Sequence, residues 1–307
     1  MLYKKIFRSR KLRSSILRFL SFIPDEPMLK LQYRIKMGRK LDLRNPKRYS
    51  EKIQWYKLYY RNQDMVRCVD KYDVRNYLIE HGFEDLLVKC YGVFENADEI
   101  DFEKLPNAFV IKDTLAGGGN SVILVQDKSS IDEQAIRKQL QKWINTPIKR
   151  DFGREWPYYS GKRHRILIEE MLVQENKSDE ALTDYKFLCF DDKVCYLQLL
   201  KNRKLGDSHL EEGIFDSNMN MLDVYGNEHG KIKMLNMSSE TFYELKHVAE
   251  KLCKGFPHVR VDLYYVNNTV YFGELTFFPA SGYKKFSDDK FDYILGEKFV
   301  LPKRNIK

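Results

Sequence analysis

Two acidic residues near the carboxyl end of the chain, Asp262 and Glu274, lie in a stretch that predicts a β-hairpin. Runs rich in valine, tyrosine, phenylalanine and leucine flank Asn267-Asn268, which is typical of two strands joined by a short turn. If the turn holds three residues, Asp262 lies directly opposite Glu274, and Arg260 and Thr276 share their face, because side chains alternate along a strand. A strict two-residue turn would put the two carboxylates on opposite faces.

The surroundings of these carboxylates predict a site for a divalent cation. With this register the carboxylate face also carries Tyr264, Val266, Val270 and Phe272. A hairpin that is apolar on both faces is buried on both sides, where unpaired carboxylates cost several kcal/mol or more. Mg²⁺ resolves that conflict, since it is commonly bound by one or two carboxylates together with substrate phosphates. The alternative is a half-exposed hairpin whose carboxylates pair with lysine and arginine.

Composition narrows the class of protein. The 307 residues are 43% hydrophobic and 32% charged, which is typical of a soluble globular protein large enough for more than one domain. The net charge of +9 favours anionic partners. Residues 1–20 contain seven lysines and arginines and no acidic residue, so the rest of the chain carries only about +2. We therefore expect no nucleic-acid partner, and no nucleic-acid-binding motif is recognisable.

Cysteine usage and hydropathy predict a cytoplasmic protein. The five cysteines include no CxxC pair and no matching histidine spacing, which favours free thiols in a reducing compartment over a zinc site. No apolar run is long enough to span a membrane, and the N-terminus lacks the features of a signal peptide. Residues 1–22 place apolar side chains at roughly helical spacing among basic ones. This segment either contacts an anionic membrane, at the inner face of the cell membrane, or packs against its own domain.

Helical spacing dominates residues 28–105. Asn45-Pro46, followed by Ser50 and Glu51, predicts a helix start before KIQWYKLYYR. The charged segment DKYDVR, at positions 70–75, shows no recognisable catalytic pattern. Its charges are expected to form the solvated face of a helix.

Strands replace helices after Leu105. A short apolar strand ends at Lys112, the loop DTLAGGGNS follows, and VILVQ returns as a second strand. The glycines allow backbone N–H groups to approach phosphate oxygens closely. The loop is neither a Walker loop nor a dinucleotide fingerprint, because no GK[ST] follows and no helix opens after it. It predicts either a flap over a triphosphate or a flexible turn, and Lys112 is either a phosphate ligand or an ordinary strand-end lysine.

Two further strands carry charged residues. RILIEEML predicts a buried strand that ends at Glu169-Glu170. DYKFLCF alternates as a strand with Asp184 and Lys186 on one face, and DDKVCYLQLL is its hairpin partner.

The remaining segments are less specific. Helices are expected over residues 131–145 and 239–253. The aromatic and basic loop at 153–165 either binds an anionic acceptor or is solvated. Residues 201–236 read as loop, and the six histidines read as surface or packing residues.

Taken in order, these elements resemble the ATP-grasp superfamily: a strand with lysine and a glycine-rich loop, a strand ending in two glutamates, a strand with acidic and basic residues, and RVDLYY…FGELTFFPASG. The chain is similar to the TupA-like branch, associated with bacterial teichuronopeptide, capsule and exopolysaccharide synthesis. SEKIQWYKL, DKYDVR, GREWPY, DYKF and RVDLYY carry this likeness, over roughly residues 40–285. It implies an α+β, ATP-grasp protein in which two antiparallel-sheet lobes clamp a nucleotide, with a helical N-terminal region.

The implied organisation has four parts. They are a basic amphipathic segment at 1–27, a helical N-terminal domain at 28–105, a central ATP-grasp lobe with the glycine-rich loop at 106–180, and a C-terminal lobe with the metal site at 181–307.

The resemblance also implies roles for individual residues. Lys112 contacts the α- and β-phosphates, while Arg260 and Lys186 act as catalytic residues, Arg260 on the transferred phosphoryl group and Lys186 on phosphate. The other ATP contacts are the loop residues Gly117, Gly118, Gly119, Asn120 and Ser121, the adenine hinge Glu169, Glu170, Met171 and Leu172, and Asp184 at the ribose. The Mg²⁺ ligands are Asp262, Glu274 and Thr276. Thr276 stands where many superfamily members have asparagine, a departure that weakens the case for a second Mg²⁺ site.

The implied activity is that of an ATP- and Mg²⁺-dependent carboxylate–amine ligase with an acyl-phosphate intermediate. Its expected partners are an amine and a uronic-acid-type glycan, or a lipid- or nucleotide-linked precursor of a cell-surface polysaccharide. Phosphoryl transfer suits such a site because it needs positioning and charge neutralisation more than covalent help. Two alternatives are a glycosyltransferase of the same pathway, although no DxD-like pair is found, and a glycan kinase or non-catalytic nucleotide-binding protein.

Overall fold

A computed structural model describes residues 16, 19–117, 121–148, 153–174, 182–201, 210–226, 230–232 and 237–306. Its helices are α1 (Asp25–Met37), α2 (Tyr49–Tyr59), α3 (Gln63–Cys68), α4 (Asp73–Glu80), α5 (Glu133–Ile144), α6 (Trp156–Tyr159), α7 (Ser239–Leu252) and α8 (Lys290–Lys298). The predicted helices at 131–145 and 239–253 are confirmed as α5 and α7.

Two sheets form the centre of the described chain. The first has the order β1-β4-β2-β3 and comprises β1 (Cys90–Phe94), β2 (Phe109–Asp113), β3 (Val122–Val125) and β4 (Ile166–Glu170). The second has the order β11-β10-β5-β6-β7-β8, with β9 beside β7, and comprises β5 (Asp184–Phe190), β6 (Lys193–Lys201), β7 (Glu211–Asp216), β8 (Met221–Leu222), β9 (Gly230–Lys231), β10 (His258–Val266) and β11 (Thr269–Thr276). All pairings are antiparallel except that of β7 with β9.

Strands also occur where the sequence indicated none. β1 lies inside the segment expected to be helical, and it pairs with β4 of the first sheet. β7, β8 and β9 lie in the stretch read as loop. These short strands lack a long alternating pattern, so they become strands only where a neighbouring strand supplies hydrogen-bond partners. The four-part division of the chain stays a prediction.

Each sheet buries a helix against its own core. The apolar stripe of α7, which includes Phe242, Leu245, Ala249 and Leu252, is buried in the core that contains the second sheet. Leu140 of α5 is buried in a smaller core with β2, β3 and β4 of the first sheet. The spacing of three and four residues along each stripe is what puts these side chains on one helix face.

The start of α2 follows the predicted signal, with one change of role. The Glu51 carboxylate accepts from the backbone N–H groups of Lys47 and Arg48 at 3.0 and 3.1 Å, as in a capping box. Ser50 does not cap the helix. Its hydroxyl donates to the buried carboxylate of Asp292 in α8 at 2.6 Å, which ties the last helix to the N-terminal region.

Strand β10 begins with a buried histidine. His258 is fully buried, its Nδ1 donates to the carbonyl of Cys189 at 2.8 Å, and its Nε2 accepts from the hydroxyl of Tyr49 at 2.8 Å. Burial lowers the pKa of His258 to about 3. None of the described helices has both the length and the hydropathy needed to cross a membrane.

We expect His258 to make the fold sensitive to acid. Between about pH 6.5 and pH 3 this histidine is protonated in the unfolded chain but neutral in the folded protein. The free energy of unfolding therefore falls as the pH falls through this range. The loss is at most about 1.4 kcal/mol per pH unit. Urea unfolding at pH 7.5 and 4.5 should show a smaller pH dependence for His258→Gln than for the wild type. The exposed His247→Gln is the control, and equal pH dependence in all three proteins would contradict the assignment.

Candidate functional site

The turn of the β10–β11 hairpin differs from the prediction. It holds two residues, Asn267-Asn268, and pairs Val266 with Thr269. Both asparagines have left-handed backbone conformations, with φ of 50° and 61°, as a type I′ turn requires. The predicted three-residue turn is therefore wrong. By itself, this turn would put Asp262 and Glu274 on opposite faces.

A β-bulge at Gly273 nevertheless brings the two carboxylates together. Asp262 pairs with Glu274, but the next pair is Leu263 with Phe272, so Gly273 is an extra residue in β11. One extra residue reverses the alternation of side chains and compensates for the shorter turn. A Cβ atom at position 273 would lie 2.9 Å from the carbonyl oxygen of Asp262, so only glycine fits here.

The bulge also corrects the predicted faces of β11. Val270 and Phe272 were expected on the carboxylate face. Phe272 pairs with Leu263 and Val270 with Tyr265, so Phe272 and Val270 lie on the face opposite the carboxylates. Both side chains are buried in the core that contains the second sheet.

Arg260 and Lys186 neutralise the carboxylate pair. Arg260 donates from Nε and Nη2 to the two carboxylate oxygens of Asp262 at 2.6 and 2.7 Å, and from Nη2 to Glu274 at 2.9 Å. Lys186 lies directly across from Asp262 on β5 and donates to it, and also to Asp184 at 3.2 Å. The side-chain contacts thus follow the alternative in which lysine and arginine pair with the carboxylates. They also bring together five of the residues that the resemblance assigns to ATP, metal and catalysis.

The two carboxylates differ in exposure and in pKa. Asp262 is 2% exposed, and burial raises its pKa despite the opposing pull of Arg260. The Glu274 side chain is 40% exposed. Desolvation by the surrounding protein raises the pKa of Glu274. The attraction of Arg260 and two lysines outweighs this effect and lowers the pKa to about 2. Glu274 is therefore an ionised and accessible carboxylate at neutral pH.

A metal ion bound at these residues would need further ligand atoms from a bound substrate. Thr276 Oγ1 donates to Glu274 at 2.9 Å and accepts from Arg260 at 3.0 Å, so three hard oxygen donors lie together. Among the described residues no group of three or more histidine, cysteine, aspartate and glutamate side chains could hold a metal. Such oxygens suit Mg²⁺ that completes its coordination with phosphate oxygens and water, but Arg260 and Lys186 occupy those of Asp262 in this structure, so the metal site stays a prediction. Asp262, Glu274 and Thr276 are the residues that would hold it.

A second charged cluster lies on the first sheet. The Glu169 carboxylate accepts from Lys112 at 2.6 Å and from Arg75 at 3.0 Å. Glu170 is exposed because side chains alternate along β4. Glu169 thus forms ion pairs with Lys112 and Arg75. Its role at the adenine hinge, with Met171 and Leu172, stays a prediction.

Two small cavities lie beside β11, and the first of them lies between the two sheets. The first is lined by Lys71, Arg75, Lys112, Glu169 and Gly273, among others. The second is lined by Lys71, Gly117, Tyr158, Gly273 and Glu274, among others. Both sheets thus contribute to a cleft with a basic interior.

Lys71 was missed by the sequence reasoning. Its backbone N–H donates to the carbonyl of Thr114 at 3.0 Å, and its ammonium donates to the carbonyl of Ala116 at the start of the glycine-rich loop. Burial lowers the pKa of Lys71, while the nearby Glu274 favours its charged form. Lys71 lines both cavities. DKYDVR had been noted as part of the resemblance, and that was the only signal for this residue.

The sequence predicts that the charges of DKYDVR form the solvated face of a helix. This prediction is wrong for its two aspartates. Asp70 is fully buried and pairs with Arg165 at 2.9 Å. Asp73 pairs with Arg165 at 2.7 Å and also with Lys162. The acids, three positions apart, meet two cations that are also three positions apart. This pairing holds the end of the 153–165 loop to the N-terminal helices, so Lys162 and Arg165 are not simply solvated, and the binding of an anionic acceptor by this loop stays a prediction.

The glycine-rich loop is only partly described. Gly118, Gly119 and Asn120 lie outside the described residues. Gly117 lines the second cavity, and the carbonyl of Ser121 accepts from the backbone N–H of Asp113 at 3.1 Å. The predicted phosphate contacts of this loop stay predictions.

Comparison with known protein families settles the relationship. The sequence matches the family described as TupA-like ATPgrasp over residues 51–300. The chain belongs to the TupA-like ATP-grasp family. The predicted α+β ATP-grasp fold is thereby confirmed, with its two sheets facing a common cleft.

Solved structures of the ATP-grasp fold are similar but distant. A D-alanine–D-alanine ligase from Bacillus anthracis has 15% identity and a TM-score of 0.42, with 68% of this chain and 57% of the ligase covered. The corresponding ligase from Helicobacter pylori has 17% identity and a TM-score of 0.41, with 76% and 61% covered. An ADP complex of N5-carboxyaminoimidazole ribonucleotide synthetase has 13% identity and a TM-score of 0.41, with 68% and 45% covered. The likeness concerns the fold alone, and no curated protein matches the sequence.

We expect the bulge to be essential for this site. In Gly273→Ala the new methyl group meets the Asp262 carbonyl, so β10 and β11 must shift and the carboxylate pair loses its geometry. Mg²⁺–ADP affinity, measured by calorimetry, should fall about tenfold or more, which is about 1.4 kcal/mol. Gly230→Ala is the control, because its nearest contact would be an ordinary 3.6 Å. Equal affinities in the two variants would show that the bulge does not position the site.

Proposed function

We propose that the chain is an ATP- and Mg²⁺-dependent ligase that joins a carboxylate to an amine through an acyl phosphate. The observation that supports this most is the charge cluster at the cleft, where Arg260 and Lys186 of the second sheet and the nearby Lys71 surround an ionised, accessible Glu274. An anionic ligand is favoured there because the cations are preorganised by the protein's own carboxylates. Membership of an ATP-grasp family supports ATP as that ligand.

The cations divide into two groups with different positions. Lys71, Arg75 and Lys112 line the first cavity, where they can bind the phosphates of a nucleotide. Arg260 and Lys186 lie at the carboxylate pair, where charge develops during phosphoryl transfer. When bound, Mg²⁺ would neutralise phosphate charge at Asp262 and Glu274. Arg260 and Lys186 would offset the negative charge on the γ-phosphoryl group as the acceptor's carboxylate attacks it and ADP leaves.

The acceptor is proposed from the resemblance to the TupA-like branch. That branch is associated with polysaccharide synthesis, so the carboxylate would be that of a uronic-acid-type glycan or its lipid- or nucleotide-linked precursor. An amine would capture the acyl phosphate. The product would be an amide on a cell-surface polysaccharide.

Product analysis tests this proposal. Hydroxylamine can replace the unknown amine, so incubation with ATP, Mg²⁺ and a panel of uronic-acid oligosaccharides should give ADP, phosphate and a hydroxamate. ADP with phosphate retained on a glycan hydroxyl would instead identify a kinase. Release of UDP from a nucleotide sugar, without ATP consumption, would identify a glycosyltransferase. Either result would overturn the ligase proposal.

We expect Glu274 to couple nucleotide binding to magnesium. In Glu274→Gln the charge of the accessible oxygen ligand is lost, so the gain in ATP affinity on adding Mg²⁺ should fall by at least about tenfold. Calorimetry with and without Mg²⁺ measures this gain. The exposed Glu244→Gln on α7 is the matched control. An unchanged magnesium effect in Glu274→Gln would contradict the metal assignment, whatever the acceptor is.

A further inference from the structure

An aromatic pair near the N-terminus is exposed to solvent. The side chains of Phe19 and Phe22 are 76% and 71% exposed, and their ring centroids lie 6.3 Å apart in an edge-to-face arrangement. Helix α1, which follows, also exposes Leu31 and Ile35. Adjacent aromatic rings that both remain this exposed form a candidate interaction surface. The described part of the chain leaves both rings uncovered.

The aromatic pair projects from a backbone that is fixed to the site. The guanidinium of Arg154 donates to the carbonyls of Leu20 and Ile23 at 3.0 and 2.8 Å. It also pairs with Asp25 at the start of α1 at 2.9 Å. Arg154 is 2% exposed, so this clamp is shielded from water. The turn that carries Phe19 and Phe22 therefore has a defined position on the protein.

The same loop continues into the wall of the cleft. Glu155, next to Arg154, accepts from the hydroxyl of Ser281 at 2.6 Å, and the buried ammonium of Lys57 donates to that hydroxyl at 2.6 Å. Ser281 follows β11, which carries Glu274. Helix α6 begins directly after Glu155, and its Tyr158 lines the second cavity. The exposed aromatic pair and the candidate site are thus held by one loop.

The sequence around the aromatic pair carries one sign of charge. Residues 1–20 contain Lys4, Lys5, Arg8, Arg10, Lys11, Arg13 and Arg18, with no acidic residue. A second copy of the chain would carry the same positive charges, which disfavours self-association through this part of the sequence. Exposed aromatic residues next to a cationic segment instead match an anionic lipid surface, where rings enter the interface and basic groups bind headgroups.

We propose that this protein docks onto anionic membranes, with Phe19 and Phe22 inserted at the lipid interface and the preceding basic residues on the headgroups. Docking does not depend on the proposed ligase activity. The Arg154 clamp would hold the cleft in a fixed orientation to the membrane surface, where a lipid-linked acceptor would be presented.

Vesicle co-sedimentation of the full chain tests the aromatic contact. The wild type should bind vesicles of phosphatidylcholine with 30% phosphatidylglycerol, and binding should weaken about tenfold in 1 M NaCl or with phosphatidylcholine alone. Phe19→Ser with Phe22→Ser should lower the partition coefficient about tenfold or more. Leu124→Ser with Val300→Ser, which also replaces two exposed apolar side chains, should leave it unchanged. Equal losses in the two double variants would overturn the proposal.

Charge variants test the electrostatic part. Replacing Arg8, Arg10, Lys11 and Arg13 by glutamine should abolish most binding to the anionic vesicles. The same number of charges removed at the exposed Lys138, Lys142, Lys251 and Lys254 should have little effect. Equal losses would show a response to net charge only, and would overturn the site.

Two further measurements distinguish lost docking from damage to the cleft and from self-association. Mg²⁺–ADP affinity should be unchanged in the phenylalanine variant, because its two substitutions leave the cleft intact. If size-exclusion chromatography shows that the wild type is a dimer and the phenylalanine variant a monomer, while vesicle binding is equal, the surface is a self-association interface and the membrane proposal is wrong.

Discussion

The buried carboxylate of Asp262 is the constraint on which the rest of the site depends. A charge that is 2% exposed must be compensated, because removing a partner from a buried ion pair costs several kcal/mol. Arg260 on the same strand and Lys186 on the adjacent strand compensate it. Both depend on the register of β5, β10 and β11. The register of three strands and the electrostatics of the cleft are therefore one requirement, not two.

The same logic links the helical N-terminal region to the sheets. Asp70 is buried against Arg165, which precedes β4, and Arg75 pairs with Glu169 within β4. Lys71 contacts the backbone at the start of the glycine-rich loop. These contacts make residues 70–75 part of the cleft. Movement of the helices relative to the first sheet would break several ion pairs at once, so the helices and the sheet hold this side of the cleft together.

The hairpin shows how a correct pairing can be predicted by a wrong route. The sequence predicts that Asp262 and Glu274 face each other only if the turn has three residues. The chain instead combines a two-residue turn with a bulge at Gly273, and the two changes cancel in the alternation of side chains. A lone glycine in a strand is consistent with a bulge. Its location depends on which residues of the partner strand it faces, which periodicity does not reveal.

The sequence by itself determined the family, the order of the main strands and most of the charged residues of the site, because these follow from local alternation and from motifs in a set order. Only the tertiary structure decided which charges meet. Lys71, Asp70 and Arg165 resemble ordinary surface residues in the sequence, since their partners lie far along the chain and burial is a property of the packed fold. The exposure of Phe19 and Phe22 was decided in the same way. A sequence shows that a side chain is apolar, whereas only the fold shows whether another element covers it.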